Sequence, residues 1–165
     1  MRSSLVTVTA VVAAAAVLSE LPETTAQPPT ADAIAMELLT AVNDMRAQNN
    51  KPLLCINTKL SSASQRMAND MGARGTVTTL GADGSQPTDR AIQQGFNTTG
   101  VWEIVGAGYN NVSHAMSEWL TKPDYAPYVL SDLAFVGVGF TDTNALPFKT
   151  YWVIDFANGD GEQCG

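Results

Sequence analysis

"FVGVGFTD", Phe135 to Asp142, and "TYWVIDF", Thr150 to Phe156, decide the fold class of this chain. Large apolar residues alternate along both stretches and share one face of each: Val136, Val138 and Phe140 in the first, and Trp152, Ile154 and Phe156 in the second. A period of two residues is typical of strands that bury one face in a core. The two stretches therefore predict β-strands, and the first of them presents glycines on its opposite face.

Upstream of the strands, apolar residues recur every three or four positions, which predicts amphipathic helices. The first helix spans Ala31 to Gln48. Its apolar stripe leaves four polar residues outside it: Asp32, Glu37, Asn43 and Arg46. The second helix begins at Thr58, with Asn57 or Thr58 as its cap, and runs to about Met71.

The segment from Gly72 to Asp89 is rich in Gly, Thr and Ser and has no helical stripe, which predicts a long irregular loop. Thr88 or Asp89 then caps a short helix that runs through Gln94. Long loops inside compact domains usually have a function. We therefore expect that this loop has a function or once had one.

"VWEIVGAGY", Val101 to Tyr109, predicts a short strand or extended segment. Asn110 or Asn111 starts a further amphipathic helix, which the pair Lys122-Pro123 stops. Helices thus precede the final strands and lie on both sides of the strand material. This order predicts one layered α+β or α/β/α domain.

Residues 1–26 have the pattern of a secretory signal peptide. Arg2 precedes an apolar run from Leu5 to Leu18, which is shorter than the roughly 20 residues needed to cross a bilayer. Small residues favour cleavage after Ala26; cleavage after Ser19 and a buried first helix are the alternatives. We expect a secreted, extracellular protein whose single domain comprises residues 27–165 and contains no membrane span.

Composition narrows the classes of partner. The chain has a net charge of −7, which disfavours binding to nucleic acid and to anionic lipid headgroups. It has two cysteines, Cys55 and Cys164, and in an oxidising compartment we predict that they pair. Two free thiols are the alternative.

Two tripeptides match the acceptor pattern for N-glycosylation, at Asn97 and at Asn111. In a eukaryotic secretory pathway both would be candidate sites, and both asparagines would then lie on the surface. Asn111 has a competing role, because asparagine is also a favoured cap at the start of a helix.

Seven motifs occur in order along the chain: "LLTAVNDMRAQNNKPLL", "SASQRMANDM", "DGSQPTDRAIQQGF", "EIVGAG", "MSEWL", "VGVGF" and "YWVIDF". In this order and spacing they resemble the CAP superfamily, the secreted cysteine-rich secretory proteins, antigen 5 and plant pathogenesis-related protein 1, also called SCP-like domains. The resemblance covers about Ala31 to Asn158. It implies a secreted α/β/α sandwich with an extended cleft that holds a metal in many members through two histidines and acidic residues.

Both histidine positions of that metal site hold other residues in this chain. Thr79 stands before the "DGS" turn, and Tyr125 and Ala126 stand where His and Arg are usual. Of the family's "ENV" element Glu103 is present, with Ile104 in place of Asn. Transition metals at such sites need nitrogen or thiolate ligands. We therefore predict no family-type zinc site and no cofactor, and we call Glu103, Tyr125 and Thr79 the vestigial cleft.

One hypothesis concerns the contacts inside the vestigial cleft. Glu103 lies in the apolar segment "VWEIV", and a buried carboxylate needs a partner. We expect the hydroxyl group of Tyr125 to donate a hydrogen bond to Glu103 and to hold the cleft together without metal.

Catalytic residues are not evident in the sequence. The one histidine, His114, lies one helical turn before Glu118 and away from the apolar stripe, so we expect this pair to face solvent. A pair of carboxyl groups could still serve as acid and base in hydrolysis. Glu103 would then act with one of three aspartates: Asp83, Asp124 or Asp155. Acidic residues at turns usually cap or are solvated.

The family resemblance implies sterol or lipid binding, host interaction and defence, with no shared catalytic mechanism. We therefore predict a non-enzymatic secreted protein that recognises a sterol or lipid, a host protein or a wall component. The alternatives are a carboxylate-dependent secreted hydrolase and a structural component of a wall or matrix. Aromatic residues either line an apolar cavity for such a ligand or lie in the core: Trp102, Trp119, Trp152, Phe135 and Tyr151.

Overall fold

The structure is a computed structural model that describes residues 29–143 and 147–165. The predicted signal peptide, residues 1–26, lies outside the described residues, and its cleavage stays a prediction. The elements, in chain order, are α1 (Ala31–Gln48), β1 (Cys55–Ile56), α2 (Thr58–Arg74), α3 (Pro87–Gln93), β2 (Val101–Ala107), α4 (Val112–Leu120), α5 (Ala126–Val129), β3 (Phe135–Asp142) and β4 (Thr150–Ala157).

The four strands form one mixed sheet in the order β1-β3-β4-β2. β4 pairs antiparallel with both β3 and β2, whereas the two residues of β1 pair parallel with β3. At the β3 edge beyond β1, the side-chain amide of Gln65 accepts from the Phe140 N–H at 3.1 Å and donates to the Phe140 carbonyl at 2.8 Å. A side chain therefore continues the hydrogen-bond pattern where β1 has ended.

Helices cover both faces of the sheet, which confirms the α/β/α sandwich. The apolar face of β3 and β4 packs against α1 and α4 in the largest core cluster. On the other face, α2 lies directly over two glycines of β3. A Cβ atom at Gly137 would meet the backbone carbon of Leu60 at 2.4 Å, and one at Gly139 would meet the carbonyl oxygen of Ser64 at 2.2 Å. The absence of side chains at these glycines is what lets the helix approach.

The predicted elements agree with the structure apart from short segments and one cap. The bounds of α1 are as predicted, and Asn57 caps α2, which continues to Arg74. The prediction that Thr88 or Asp89 caps the short helix was wrong. That helix begins at Pro87, because Gln86 is the cap and Asp89 Oδ2 accepts from the Gln86 N–H at 2.9 Å.

The disulfide bond Cys55–Cys164 is present, which confirms the predicted pairing. It joins β1 to the C-terminal tail across 109 positions of sequence. Beside it, Glu162 accepts from the ammonium group of Lys59 at 3.0 Å and from the Asn97 N–H at 2.9 Å. The tail is thus fixed to the start of α2 by covalent and charged contacts together.

Arg46 is fully buried, although it lies outside the apolar stripe that the sequence shows for α1. Its guanidinium group donates to four backbone carbonyls: Pro52 at 2.7 Å, Val129 at 2.8 Å, Ser131 at 2.9 Å and Leu133 at 3.2 Å. Arg46 therefore fixes the segment between α5 and β3 against the end of α1.

Candidate functional site

Glu103 is a carboxylate in the middle of the apolar strand β2. Its side chain shares a face with Val101 and Val105, because alternate residues of a strand point the same way. That face packs under α2 and α3. The Glu103 side chain is only 1% exposed, so the charge needs a partner within the protein.

Arg90 of α3 is that partner. Its Nη2 donates to Glu103 Oε2 at 2.6 Å, and its side chain is equally buried. Its Nη1 donates to the carbonyl oxygens of Thr79 at 3.1 Å and Ser85 at 2.8 Å, which ties the loop before α3 to the ion pair. Sequence reasoning missed Arg90, whose one signal was its position inside the "DGSQPTDRAIQQGF" motif.

Asp155 of β4 stands opposite Glu103 in the register of the sheet and is also buried. Its Oδ2 accepts from the hydroxyl group of Ser64 on α2 at 2.7 Å. Burial raises the pKa of Asp155 well above its ordinary value, and the neighbouring Glu103 carboxylate raises it further. We call Arg90, Glu103, Asp155 and Ser64 the buried acid cluster.

The hypothesis that Tyr125 donates to Glu103 was wrong. Glu103 points beneath α2 and α3 and pairs with Arg90, whereas Tyr125 approaches β2 along its outer edge and interacts with the backbone of Val105. Burial raises the pKa of the Tyr125 hydroxyl group, and the hydrogen bond from the Val105 backbone opposes that effect. Thr79, the third residue of the vestigial cleft, reaches Arg90 through its backbone carbonyl.

Side chains cover the outer edge of β2, where no further strand is paired within the described sheet. The Val101 N–H donates to the hydroxyl oxygen of Thr88 at 3.1 Å. Four positions further along, the Tyr125 hydroxyl group meets the backbone of Val105. Tyr125 therefore covers part of this sheet edge, at the position where the sequence resemblance led us to expect a histidine.

Replacing Tyr125 by phenylalanine should remove this contact and leave the Val105 N–H without its side-chain acceptor. We expect the free energy of unfolding to fall by about 1 kcal/mol, the usual value of one hydrogen bond. Urea unfolding of the two proteins checks this. Tyr128→Phe is the matched control, and a Tyr125→Phe protein as stable as the wild type would contradict the assignment.

The other sequence-predicted candidates lie at the surface. Asp83 pairs with Arg66 at 2.5 Å, and hydrogen bonds from Ser85 together with this charge lower the pKa of Asp83 to about 2. Asp124 is exposed in the turn after α4. His114 accepts from the Asn110 N–H at 3.4 Å through Nδ1, and its ring packs 5.3 Å from that of Tyr109. Of the acids predicted to act with Glu103, the structure places Asp155 beside it.

The aromatic residues belong to the core with one exception. Trp119, Trp152 and Tyr151 are 1% exposed, and Phe135 is also buried. Trp102 is 46% exposed and stacks on Tyr128 with 5.2 Å between ring centroids. The four buried aromatic side chains therefore fill the interior instead of lining a ligand cavity.

Asn97 and Asn111 are both exposed, as glycosylation would require. The Oδ1 atom of Asn111 accepts from the His114 N–H at 2.8 Å and caps α4. The Nδ2 atom of Asn97 donates to the carbonyl of Asp160 at 3.1 Å. Their glycosylation stays a prediction.

An open groove of about 440 Å³ runs between α1 and α4. Apolar side chains form its walls, and polar and acidic ones lie among them; the lining residues are Glu37, Thr40, Ala41, Asp44, Met45, Val112, Ser113, Met116 and Leu120. The groove lies on the opposite face of the sheet from the buried acid cluster. We call it the α1–α4 groove.

Residues 39–156 match the model of the CAP family, described as the cysteine-rich secretory protein family. The chain belongs to this family. The match includes the buried acid cluster, the vestigial cleft and most of the α1–α4 groove. A search among curated proteins found no match.

Solved structures share the CAP fold with this chain at low sequence identity. An extracellular protein containing an SCP domain from Bacillus anthracis is 16% identical, with a TM-score of 0.66 over 80% of this chain and 45% of its own. An outer surface protein from Borrelia burgdorferi is 19% identical, with a TM-score of 0.69 over 79% of this chain and 96% of its own. A cysteine-rich secretory protein from Staphylococcus aureus is 15% identical, with a TM-score of 0.58 over 74% of this chain and 37% of its own. The chain thus spans less than half of the first of these proteins.

The residues that the sequence resemblance assigned to the family's metal site offer donors that do not suit zinc. They are the hydroxyl group of Thr79, the phenol of Tyr125 and the carboxylate of Glu103, which Arg90 already neutralises. Within residues 29–143 and 147–165, no three His, Cys, Asp or Glu side chains converge as a metal-binding group. The lack of a family-type zinc site stays a prediction.

Proposed function

We propose that this CAP-family protein acts outside the cell without catalysis and binds a neutral lipid, such as a sterol, in the α1–α4 groove. The groove is the observation that carries the proposal, because its volume of about 440 Å³ falls in the usual range for small-molecule sites. The Cys55–Cys164 disulfide supports an extracellular location. Two structural neighbours, an extracellular protein and an outer surface protein, agree with such a location.

The lining of the groove favours a neutral headgroup. Met45, Met116 and Leu120 offer a soft apolar wall that adapts to the shape of a hydrocarbon. Glu37 and Asp44 also line the groove, and both are exposed. Two negative charges at this position disfavour the carboxylate of a fatty acid and leave a hydroxyl headgroup acceptable.

The buried acid cluster does not support the alternative of a carboxylate-dependent hydrolase. Glu103 and Asp155 are the two acids that lie together, and each is closed off from solvent. An acid or base must come within hydrogen-bond reach of the substrate proton that it transfers. In this structure Glu103 reaches Arg90 instead.

None of the helices within residues 29–143 and 147–165 combines the length and the hydropathy of a membrane-spanning segment.

Binding of a fluorescent sterol to the mature protein tests the proposal. Ala41 lines the groove and is partly buried on α1, so Ala41→Trp should fill the groove and weaken binding at least about tenfold. Ala35→Trp is the matched control, since Ala35 is partly buried on the same helix and lines a different groove, beside α2. Equal sterol affinities for the two variants would contradict the assignment.

The preference for a neutral headgroup has its own test. Palmitate should bind the wild-type protein more weakly than the sterol, and the double variant Glu37→Gln, Asp44→Asn should gain palmitate affinity while its sterol affinity stays the same. If neither lipid binds, the proposed lipid binding is wrong, and recognition of a host protein or wall component becomes the favoured hypothesis.

A further inference from the structure

Glu103 and Asp155 form a pair of carboxyl groups within the buried acid cluster. They lie opposite each other on β2 and β4, and one oxygen of each has a donor: Arg90 for Glu103 Oε2 and Ser64 for Asp155 Oδ2. The other two oxygens, Glu103 Oε1 and Asp155 Oδ1, are buried, and no described donor reaches either of them. Buried acceptors are nearly always satisfied.

Charge balance points to the same missing donor. Among residues 29–143 and 147–165, the groups that face the pair are Arg90 from α3 and Ser64 from α2, and Tyr125 lies within electrostatic range at the edge of β2. Arg90 supplies one positive charge against two carboxyl groups. A second ionised carboxyl group in this interior would remain uncompensated at a large energetic cost.

We propose that Glu103 and Asp155 share one proton in the folded protein, held on Asp155, so that the domain takes up a proton when it folds at neutral pH. The protonated Asp155 Oδ1 then donates a hydrogen bond to Glu103 Oε1, so that each of these two oxygens has a partner. The cluster is then neutral, with Glu103 ionised beside Arg90. This inference does not depend on lipid binding in the α1–α4 groove.

The shared proton sets the sign of the pH dependence. Burial raises the pKa of Asp155 in the folded chain, while the unfolded chain titrates near the ordinary value of about 3.9. The contribution of Asp155 to stability is therefore complete below that value and is lost as the pH rises toward the folded pKa. Over that window the unfolding equilibrium constant should rise about tenfold per pH unit, which corresponds to one proton.

Asparagine at position 155 is the test, because it imitates a carboxyl group that always carries its proton. In Asp155→Asn, one side-chain atom still accepts from Ser64 and the amide donates to Glu103 Oε1. We expect urea unfolding between pH 5 and 8 to lose its pH slope, and the variant to be more stable than the wild type at pH 8. Asp124→Asn makes the same chemical change at an exposed site and should keep the wild-type slope.

Two results would overturn the proposal. One is a wild-type stability that stays level or rises between pH 5 and 8, and the other is an Asp155→Asn protein with the wild-type slope. If the variant does not fold, infrared spectroscopy of the wild-type protein decides the question. The carbonyl stretch of a protonated carboxyl group should be present at pH 7, and its absence at that pH would also refute the shared proton.

Discussion

Replacing Arg46 by methionine is expected to lower the free energy of unfolding by about 4 kcal/mol. Methionine fills much of the same volume but leaves four backbone carbonyls without donors, and each unsatisfied buried acceptor costs about 1–3 kcal/mol. Water that enters beside some of these carbonyls would lower the total cost below the sum of the four separate costs. Urea denaturation, read from the shift in midpoint at constant slope, measures the loss.

Arg74→Met is the control for Arg46. Arg74 also donates to a carbonyl, that of Leu80 at 2.9 Å, but its side chain is 33% exposed and water can replace it. Its loss should cost less than about 1 kcal/mol. A loss for Arg46→Met as small as this would show that the four carbonyls find other donors, and the structural role of Arg46 would have to be abandoned.

The second large effect is expected at Gly139. Gly139→Ala should lower the free energy of unfolding by at least about 3 kcal/mol, which is the upper end of the usual cost of overpacking a core. The new Cβ atom would meet the Ser64 carbonyl oxygen at 2.2 Å and its carbon at 2.3 Å. These are backbone atoms of a helix, so no side-chain rotation relieves the clash. α2 would have to move away from β3, and thermal unfolding should report the loss of packing.

Gly100→Ala is the matched control, because a Cβ atom there meets nothing within 4 Å. Its effect should lie within about 0.5 kcal/mol of zero. If Gly139→Ala proves as harmless as Gly100→Ala, the contact between α2 and β3 is looser than the structure shows.

Sequence patterns predicted the long elements because one face of each is buried. The period of two in β3 and β4 and the stripe of α1 follow directly from that burial, and the bounds of α1 agree with the prediction. β1, with two residues, and α5, with four, are too short to show a period.

The buried acid cluster was only partly accessible to sequence reasoning. Glu103 was evident as a charge in an apolar strand, and Asp155 was among the acids considered as its partner. Arg90 was not found, since the seven residues of α3 are too few to show which of its sides is buried. The distinction between Arg90 and Tyr125 depends on which face of β2 Glu103 occupies, and this follows from the packing of α2 and α3 over the sheet.

Side chains occupy backbone groups at both borders of the sheet: Gln65 on β3 beyond the end of β1, and Thr88 and Tyr125 on β2. An open strand border is where proteins most readily join into fibrils or exchange strands. Along β2 the contacts of Thr88 and Tyr125 interrupt the row of outward backbone groups at Val101 and Val105. Concentrated protein should therefore resist β-type aggregation, and any assembly that it forms with a second copy should use its helices or loops.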